Sequence, residues 1–474
     1  MTSRDIFDNL SPLDHRYWEA NPELFSALSA RLSESAQVRT CVRVEAALLK
    51  THLELRGRLS PGLEADIDAA AGAVSPEEVY EEEKTTHHNI RALVNVFQKK
   101  LPAEVQSLVH LGATSADILD TAKAIELRDA VRGVLLPVLI GLEEELCDLA
   151  VREAETPQVG RTHGQHAVPL TFGFAMAEYV SRLGISIQKI EELSRSLVGK
   201  LAGAVGAYNA LSMSYKDPEK VEAAFLGRLG VQPSEHSTQL AEPEPALRLL
   251  LEINVAFGII ANLADDLRNL QRTEINEVRE SFGAGQVGSS TMPQKRNPWN
   301  SEHVKSLWKA MCPRVISFYM DQISEHQRDL TNSASGRFVV EYLAGFADAA
   351  ARMRQVIAGL TVNREKMLAN LKLSGGGVLA EPAYILLAES GAADAHERVR
   401  CLTLAAEAEK IPFTEALKRE PETEALLSGR LAALGLPPAA EFFSRPEAYR
   451  GRAAEKAKSL GEKYRALMGR LIKE

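Results

Sequence analysis

A chain of 474 residues is too long for one ordinary core and implies about three domains. At 45% hydrophobic and 25% charged it reads as a soluble globular protein, and its net charge of -9 argues against a nucleic-acid partner. Four widely separated cysteines (Cys41, Cys147, Cys312, Cys401) point to reduced thiols in the cytoplasm and exclude a disulfide framework.

From the N-terminus, the polar stretch Met1–Asn9 carries Asp5 and Asp8 and has no secretory character. Ser11-Pro12-Leu13-Asp14-His15-Arg16-Tyr17 follows. Two clusters then mix imidazole with hydroxyl and amide groups: Thr85-Thr86-His87-His88-Asn89-Ile90, and His110 to Asp117 with Thr114 and Ser115. The second lies just before a helix expected to begin near Asp117. Free backbone N–H groups at a helix start, beside two hydroxyls, make a cradle for a carboxylate, although Ser and Thr also serve there as plain caps. A helical pattern runs from Leu119 to Glu155 with an expected kink at Pro137. The longest apolar run, Val134 to Leu142, is shorter than the ~20 residues of a spanning helix, so no membrane partner is expected.

Next comes Gly160-Arg161-Thr162-His163-Gly164-Gln165-His166-Ala167-Val168-Pro169. Two histidines three apart could ligate a metal on a helix, but the glycine and proline favour a turn and no acidic or thiol ligands accompany them. No metal site is expected. Proline is absent between positions 169 and 218, 245 and 293, and 313 and 382. In the second of these stretches Leu247, Leu250, Leu251, Ile260, Leu263, Leu267 and Leu270 form an apolar stripe, predicting a helix from Ala246 to about Glu280, roughly 50 Å long. Helices of that length need partners along their whole reach. A symmetric oligomer supplies them, with an internally paired monomer as the alternative.

Gly283 to Gly288 fits G-x-G-x-x-G, yet it follows a helix and enters a proline-pinned loop, so it hinges a lid and does not bind a dinucleotide. The loop itself, Gly288-Ser289-Ser290-Thr291-Met292-Pro293-Gln294-Lys295-Arg296-Asn297-Pro298, can be neither helix nor central strand and presents Ser289, Lys295 and Asn297 to an anion. Further on, Arg328 and Arg337 stand nine apart with hydroxyls between them, including Ser333. Planar charged donors beside neutral ones suit a phosphate, while a solvated polar turn is the plain alternative. The fold expected is all-α in three helical domains: an N-terminal domain over 1–115, a long-helix bundle over 116–371 containing the loop 281–298, and a C-terminal domain over 372–474. Ser374-Gly375-Gly376-Gly377 is the expected joint before the last.

These motifs, in this order along most of the chain, resemble the adenylosuccinate lyase branch of the fumarase/aspartase superfamily. The resemblance implies a carbon–nitrogen lyase of the amidine-lyase type. Its reaction is β-elimination of fumarate from adenylosuccinate, giving AMP, and from succinylaminoimidazole carboxamide ribotide, giving AICAR, in purine biosynthesis. It implies Ser289 as the base that takes the Cβ proton, His163 as the acid that protonates the departing nitrogen, and Glu302 as the carboxylate orienting that histidine. Lys295 and Asn297 would hold one carboxylate, and His110, Thr114 and Ser115 the other. His88 would be a second active-site histidine flanked by His87 and Asn89, and Gln239 would touch the succinyl group. Arg16, Tyr17, Arg328, Ser333 and Arg337 would bind the nucleotide. No metal or organic cofactor is implied, and the assembly is a homotetramer whose sites draw on three subunits. Asn89 stands where the family usually has Asp, and Leu170 where it usually has Thr. A sister lyase such as argininosuccinate lyase, or a non-catalytic structural protein on the same scaffold, are the alternatives; the arginines argue against the first and the intact acid, base and lysine against the second.

Overall fold

Serine caps and apolar periodicity account for the first helices of the computed structural model, which describes residues 5–283, 285 and 287–472. Ala284 and Gln286 of the expected hinge lie outside the described residues. Helix α1 (Glu34–Leu55) starts where Ser33 accepts from the N–H of Ala36 at 3.2 Å. Helix α2 (Pro76–Thr86) has proline in its first turn and a reciprocal cap between Ser75 and Glu78. Helices α3 (Asn89–Lys100) and α4 (Ser115–Ala130) follow. A π-helical turn, Val131–Leu135, then separates α4 from α5 (Leu136–Arg152). Pro137 has no N–H to give, and the widened turn lies just before it, where a kink is expected.

The strands β1 (Pro157–Thr162) and β2 (Gln165–Thr171) form an antiparallel hairpin that the sequence pattern did not announce. Long helices resume with α6 (Phe172–Arg195), α7 (Glu244–Leu270), α8 (Trp299–Met311) and α9 (Val339–Ala358), and α10 (Ala453–Leu471) ends the described chain. The long stripe expected to reach Glu280 stops at Leu270, so α7 spans about 40 Å. Asn276 takes a left-handed φ of 50° and Glu277 turns back, its N–H donating to the Leu270 carbonyl at 2.9 Å. Length and composition alone would let α7 cross a membrane. Its Ile253, Phe257, Ile260 and Ala264 are instead fully buried in protein.

Packing divides the chain into two compact units, and every boundary between them falls inside a helix. The first comprises Met1–Ile140, Ile185–Ile260 and Ser306–Ala351. Its core gathers Leu48, Leu49 and Leu53 of α1, Ala92 and Phe97 of α3, Ile118 and Ala122 of α4, and Phe225 and Leu226. The second comprises Gly141–Gly184, Ala261–Lys305 and Arg352–Glu474. There Val159 of β1 packs with Leu371, Leu379, Leu387, Leu427 and the edge-to-face pair Phe413 and Phe443, 5.6 Å between centroids. Within that unit, Gly375 and Gly376 of the expected joint take left-handed φ values of 58° and 91°.

Within the second unit, α6 begins backbone against backbone on the end of α5. A Cβ on Gly173 would lie 2.3 Å from the Ala150 carbonyl oxygen and 2.6 Å from the Ala154 nitrogen. Neither group can swing aside as a side chain would. Gly173→Ala should therefore destabilise the protein by about 1–3 kcal/mol, read as a lowered denaturant midpoint.

Candidate active site

Histidines mark the loops of interest by their backbone. His87 (φ 51°), His110 (φ 61°), His163 (φ 52°) and His326 (φ 47°) all adopt the left-handed conformation, as does Arg328 (φ 78°). Non-glycine residues there are uncommon and persist only where the surroundings hold them.

In the first unit, His88 caps α3. Its Nδ1 accepts from the N–H of Arg91 at 3.3 Å, so in the neutral ring Nε2 carries the proton and donates toward Ser115 Oγ, also at 3.3 Å. Two expected site residues from separate segments are thus joined. His87 ends α2, and Asn89 accepts from the N–H of Ile90 at 2.8 Å. At the start of α4 the N–H of Thr114 donates to Asp117 at 2.7 Å. Asp117 is fully buried and pairs with the equally buried Lys200, while accepting from Ala202 N at 3.0 Å. That ion pair ties the 110–117 loop to the segment 200–209. Farther along, Gly206 passes so near Ser237 that a Cβ would sit 1.9 Å from its carbonyl oxygen.

Gln239 donates its N–H to the Gln327 carbonyl at 2.9 Å, which sets the expected succinyl contact beside the expected phosphate arginine. Arg328 is half-buried and donates to the Gln322 carbonyl at 2.8 Å. The neighbouring Asp329 turns its carboxylate onto the hydroxyl and N–H of Thr331, which holds it at about 2. Arg16, Ser333 and Arg337 are exposed, and among the described residues their side chains share no hydrogen bond; Tyr17 is half-buried in the short helix Arg16–Ala20.

In the second unit, Thr162 pairs with Gln165, so His163 and Gly164 are the two central residues of the β1–β2 turn, with φ of 52° and 74°. Two positive φ values define the tight hairpin turn whose twist matches the strands. His163 stands exposed at its tip. The hairpin is held by Glu277, which is fully buried. It takes a bidentate pair from Arg161 (2.5 and 3.1 Å) and further bonds from Gln158 (2.8 Å) and Asn370 (2.9 Å). His166 lies opposite Arg161, and burial together with that cation lowers its pKa.

The loop 288–298 is closed by short contacts of its own. The N–H groups of Thr291 and Met292 point at Ser289 Oγ from 3.4 and 3.1 Å, and Asn297 Nδ2 donates to the Gly288 carbonyl at 3.0 Å. A Cβ on Gly288 would meet the Lys295 carbonyl oxygen at 2.0 Å, so only glycine fits this crossing. Lys295 is exposed, with no side-chain partner among the described residues. Glu280 caps α8 by accepting from Asn300 N and Ser301 N at 3.2 and 2.8 Å, which suits a carboxylate at a helix start. Glu302 is exposed in the first turn of α8. Among the described residues no side-chain hydrogen bond joins His163 to Glu302 or to Ser289 within one chain.

A profile described as Lyase matches residues 15–316, and one described as Adenylosuccinate lyase C-terminal matches residues 324–435. An adenylosuccinate lyase from Pyrococcus abyssi is 34% identical over 451 residues, covering 94% of this chain and 95% of that protein. The chain belongs to the adenylosuccinate lyase family. Two solved structures share its fold. A 3-carboxy-cis,cis-muconate lactonizing enzyme from Pseudomonas putida has 26% identity and a TM-score of 0.78, covering 93% of this chain and 97% of that one. A fumarate lyase from Mesorhizobium sp. BNC1 has 24% identity and a TM-score of 0.79 at the same coverage. The architecture is the all-α fold of the fumarase/aspartase superfamily, and the protein is a lyase by family.

For this lyase-family chain, sequence reasoning passed over the groups that hold the loops: Glu45 on His110, Lys200 on Asp117, and Glu277 on the hairpin. Two carried a signal. Glu45 interrupts an apolar helix face between Val44 and Ala46, and Lys200 stands between Val198 and Leu201. A charge in such a place demands a buried partner. Glu277→Ala leaves Arg161 without its counter-ion and should cost about 3–5 kcal/mol in chemical denaturation. The same variant should lower kcat through the loosened His163 turn.

Proposed function

We propose that this chain catalyses β-elimination of fumarate from adenylosuccinate, giving AMP, and from succinylaminoimidazole carboxamide ribotide, giving AICAR, in purine biosynthesis. The observation that carries the reading is the loop around Ser289, where two backbone N–H groups converge on Oγ. A serine is a poor base unless its alkoxide is stabilised, and fixed amide donors supply that stabilisation without reorganising, with the Lys295 ammonium available from the same loop. Ser289 takes the proton from Cβ of the succinyl group, the released electron pair becomes the carbon–carbon double bond, and the carbon–nitrogen bond breaks. His163 protonates the departing nitrogen. The intermediate charge falls on the carboxylate next to Cβ, which becomes an aci-carboxylate dianion. Lys295 and Asn297 stand ready to hold it, and His110, Thr114 and Ser115 to hold the other carboxylate. His88, with Ser115 as its hydrogen-bond partner, acts beside them, flanked by His87 and Asn89. Gln239 contacts the succinyl group, and Arg16, Tyr17, Arg328, Ser333 and Arg337 bind the nucleotide.

The reading includes a homotetramer in which Glu302 and the Ser289 loop of one protomer meet His163 of another. Exposed apolar side chains of the first unit support self-association: Val255, Ile316, Met320 and Ile323 are 53%, 59%, 64% and 75% exposed. A cytoplasmic location and the three-part division 1–115, 116–371 and 372–474 belong to the same reading. Argininosuccinate as substrate is disfavoured by the half-buried Arg328 beside Gln239, which serves a nucleotide phosphate, and a panel of succinyl substrates tests the choice.

Ser289→Ala should reduce fumarate release by at least about 10³-fold while substrate still binds, the loss expected when a group acting in the transition state is removed. Near-normal turnover would overturn the base assignment. Arg328→Ala should raise KM about 10-fold or more with a smaller change in kcat, as for a lost charged phosphate contact. An unchanged KM would remove Arg328 from the phosphate site.

A further inference from the structure

Glu45 is fully buried in the middle of α1, among Val44, Ala46, Leu48 and Leu49. A carboxylate there is tolerated only with a partner. The partner is His110, whose Nδ1 lies 2.6 Å from Glu45 Oε1, while Oε2 has none among the described residues. Since Nδ1–H donates to Glu45, the second ring nitrogen is the one left to act. Nε2 of His110 has no protein partner among the described residues, and the side chain is 22% exposed.

Two turns along α1, His52 fixes the residue after His110. Its Nε2 donates to the Leu111 carbonyl at 2.9 Å and its Nδ1 accepts from the Tyr215 hydroxyl at 2.6 Å. Burial lowers the pKa of His52, so it remains neutral in this role. One face of α1 thus holds the left-handed 110–112 turn at two points. Other charges facing His110 are Asp117 from α4, itself paired with Lys200, and Arg91 from α3. Burial pulls the His110 imidazole down, but the hydrogen bond and charge of Glu45, with a smaller contribution from Asp117, outweigh burial and Arg91 together. The pKa stands above the ordinary histidine value.

We propose that Glu45 is a positioning residue for the elimination, holding His110 as an imidazolium whose free Nε2–H binds a substrate carboxylate. The inference rests on the reading of His110 as part of the carboxylate pocket. A neutral imidazole in this geometry would still offer Nε2 to solvent, but as an acceptor aimed at an anion. The carboxylate behind it makes the ring a cation and a donor. It also fixes the ring plane, so the donor needs no rearrangement when substrate arrives.

The sign of the pH effect follows. An imidazolium exists below its own pKa, so the binding it contributes is complete at acid pH and lost as pH rises through that raised value. Without the Glu45 charge the loss begins at lower pH. The test is KM and kcat from mildly acid to alkaline pH for the full-length enzyme and for Glu45→Gln, Glu45→Asp and His110→Gln. Glu45→Gln should raise KM at neutral pH about tenfold, as for one weakened charge-assisted contact to the substrate, with a smaller change in kcat. The pH at which KM climbs should fall. Glu45→Asp keeps the charge and should bring that pH back toward the wild-type position. His110→Gln should raise KM and remove the dependence. If His110→Gln raises KM while Glu45→Gln leaves the pH of the climb unmoved, the proposal is overturned and the pocket reading stands. If His110→Gln leaves KM unchanged, the pocket reading itself falls. Should Glu45→Gln fail to fold, Glu45→Met, which removes the charge at similar volume, takes its place, and a KM that climbs at the wild-type pH in that variant overturns the proposal equally.

Discussion

Buried carboxylates hold the loops on which the chemistry depends. Glu45, Asp117 and Glu277 are each fully buried, and each is fastened to a segment carrying a candidate site residue: His110, the Thr114–Ser115 helix start, and the His163 hairpin. A charge removed from water is expensive, and Glu45 even keeps one oxygen without a partner among the described residues, so such groups fix geometry more than they add stability. Glu277 has four donors from three side chains; Asp117 has a lysine and several backbone N–H groups. The loops they hold are strained. His110 and His163 both take positive φ, at 61° and 52°, on segments that these carboxylates hold.

That strain serves the proposed elimination. An aci-carboxylate is tolerable only if donors already face the place where its charge appears. In the proposed reading His163 as acid and His110 beside the other carboxylate both stand on turns held by buried carboxylates. The Ser289 loop meets it differently, by folding its own N–H groups onto the serine and by a glycine crossing that no side chain could share. Glu280 secures the far end of that loop at the start of α8, leaving its exposed middle, with Lys295, as the part able to adjust to substrate.

Much of this was legible in the sequence. Helical periodicity and the helix start at Thr114 and Asp117 are local properties, and the structure realises both within a residue or two. The motif order also identified the family. The end of α7 was misjudged because apolar spacing continues beyond Leu270, while the real stop is made by a left-handed Asn276 and the buried Glu277. The β1–β2 hairpin was missed because it shows no alternation of apolar and polar residues: its burial runs through Gln158, Val159 and Gly160 consecutively.

By itself the sequence determined the helical architecture, the family and the residue types available for acid, base and phosphate recognition, because those rest on spacing and on side-chain chemistry. Only the tertiary structure decided which imidazole has a carboxylate partner, which ring nitrogen is free and which turn takes a left-handed backbone. These depend on partners 65 residues apart for His110 and Glu45, and 116 for Arg161 and Glu277. No local pattern encodes such pairings; they exist because burial forces each isolated charge to find the one donor set within reach.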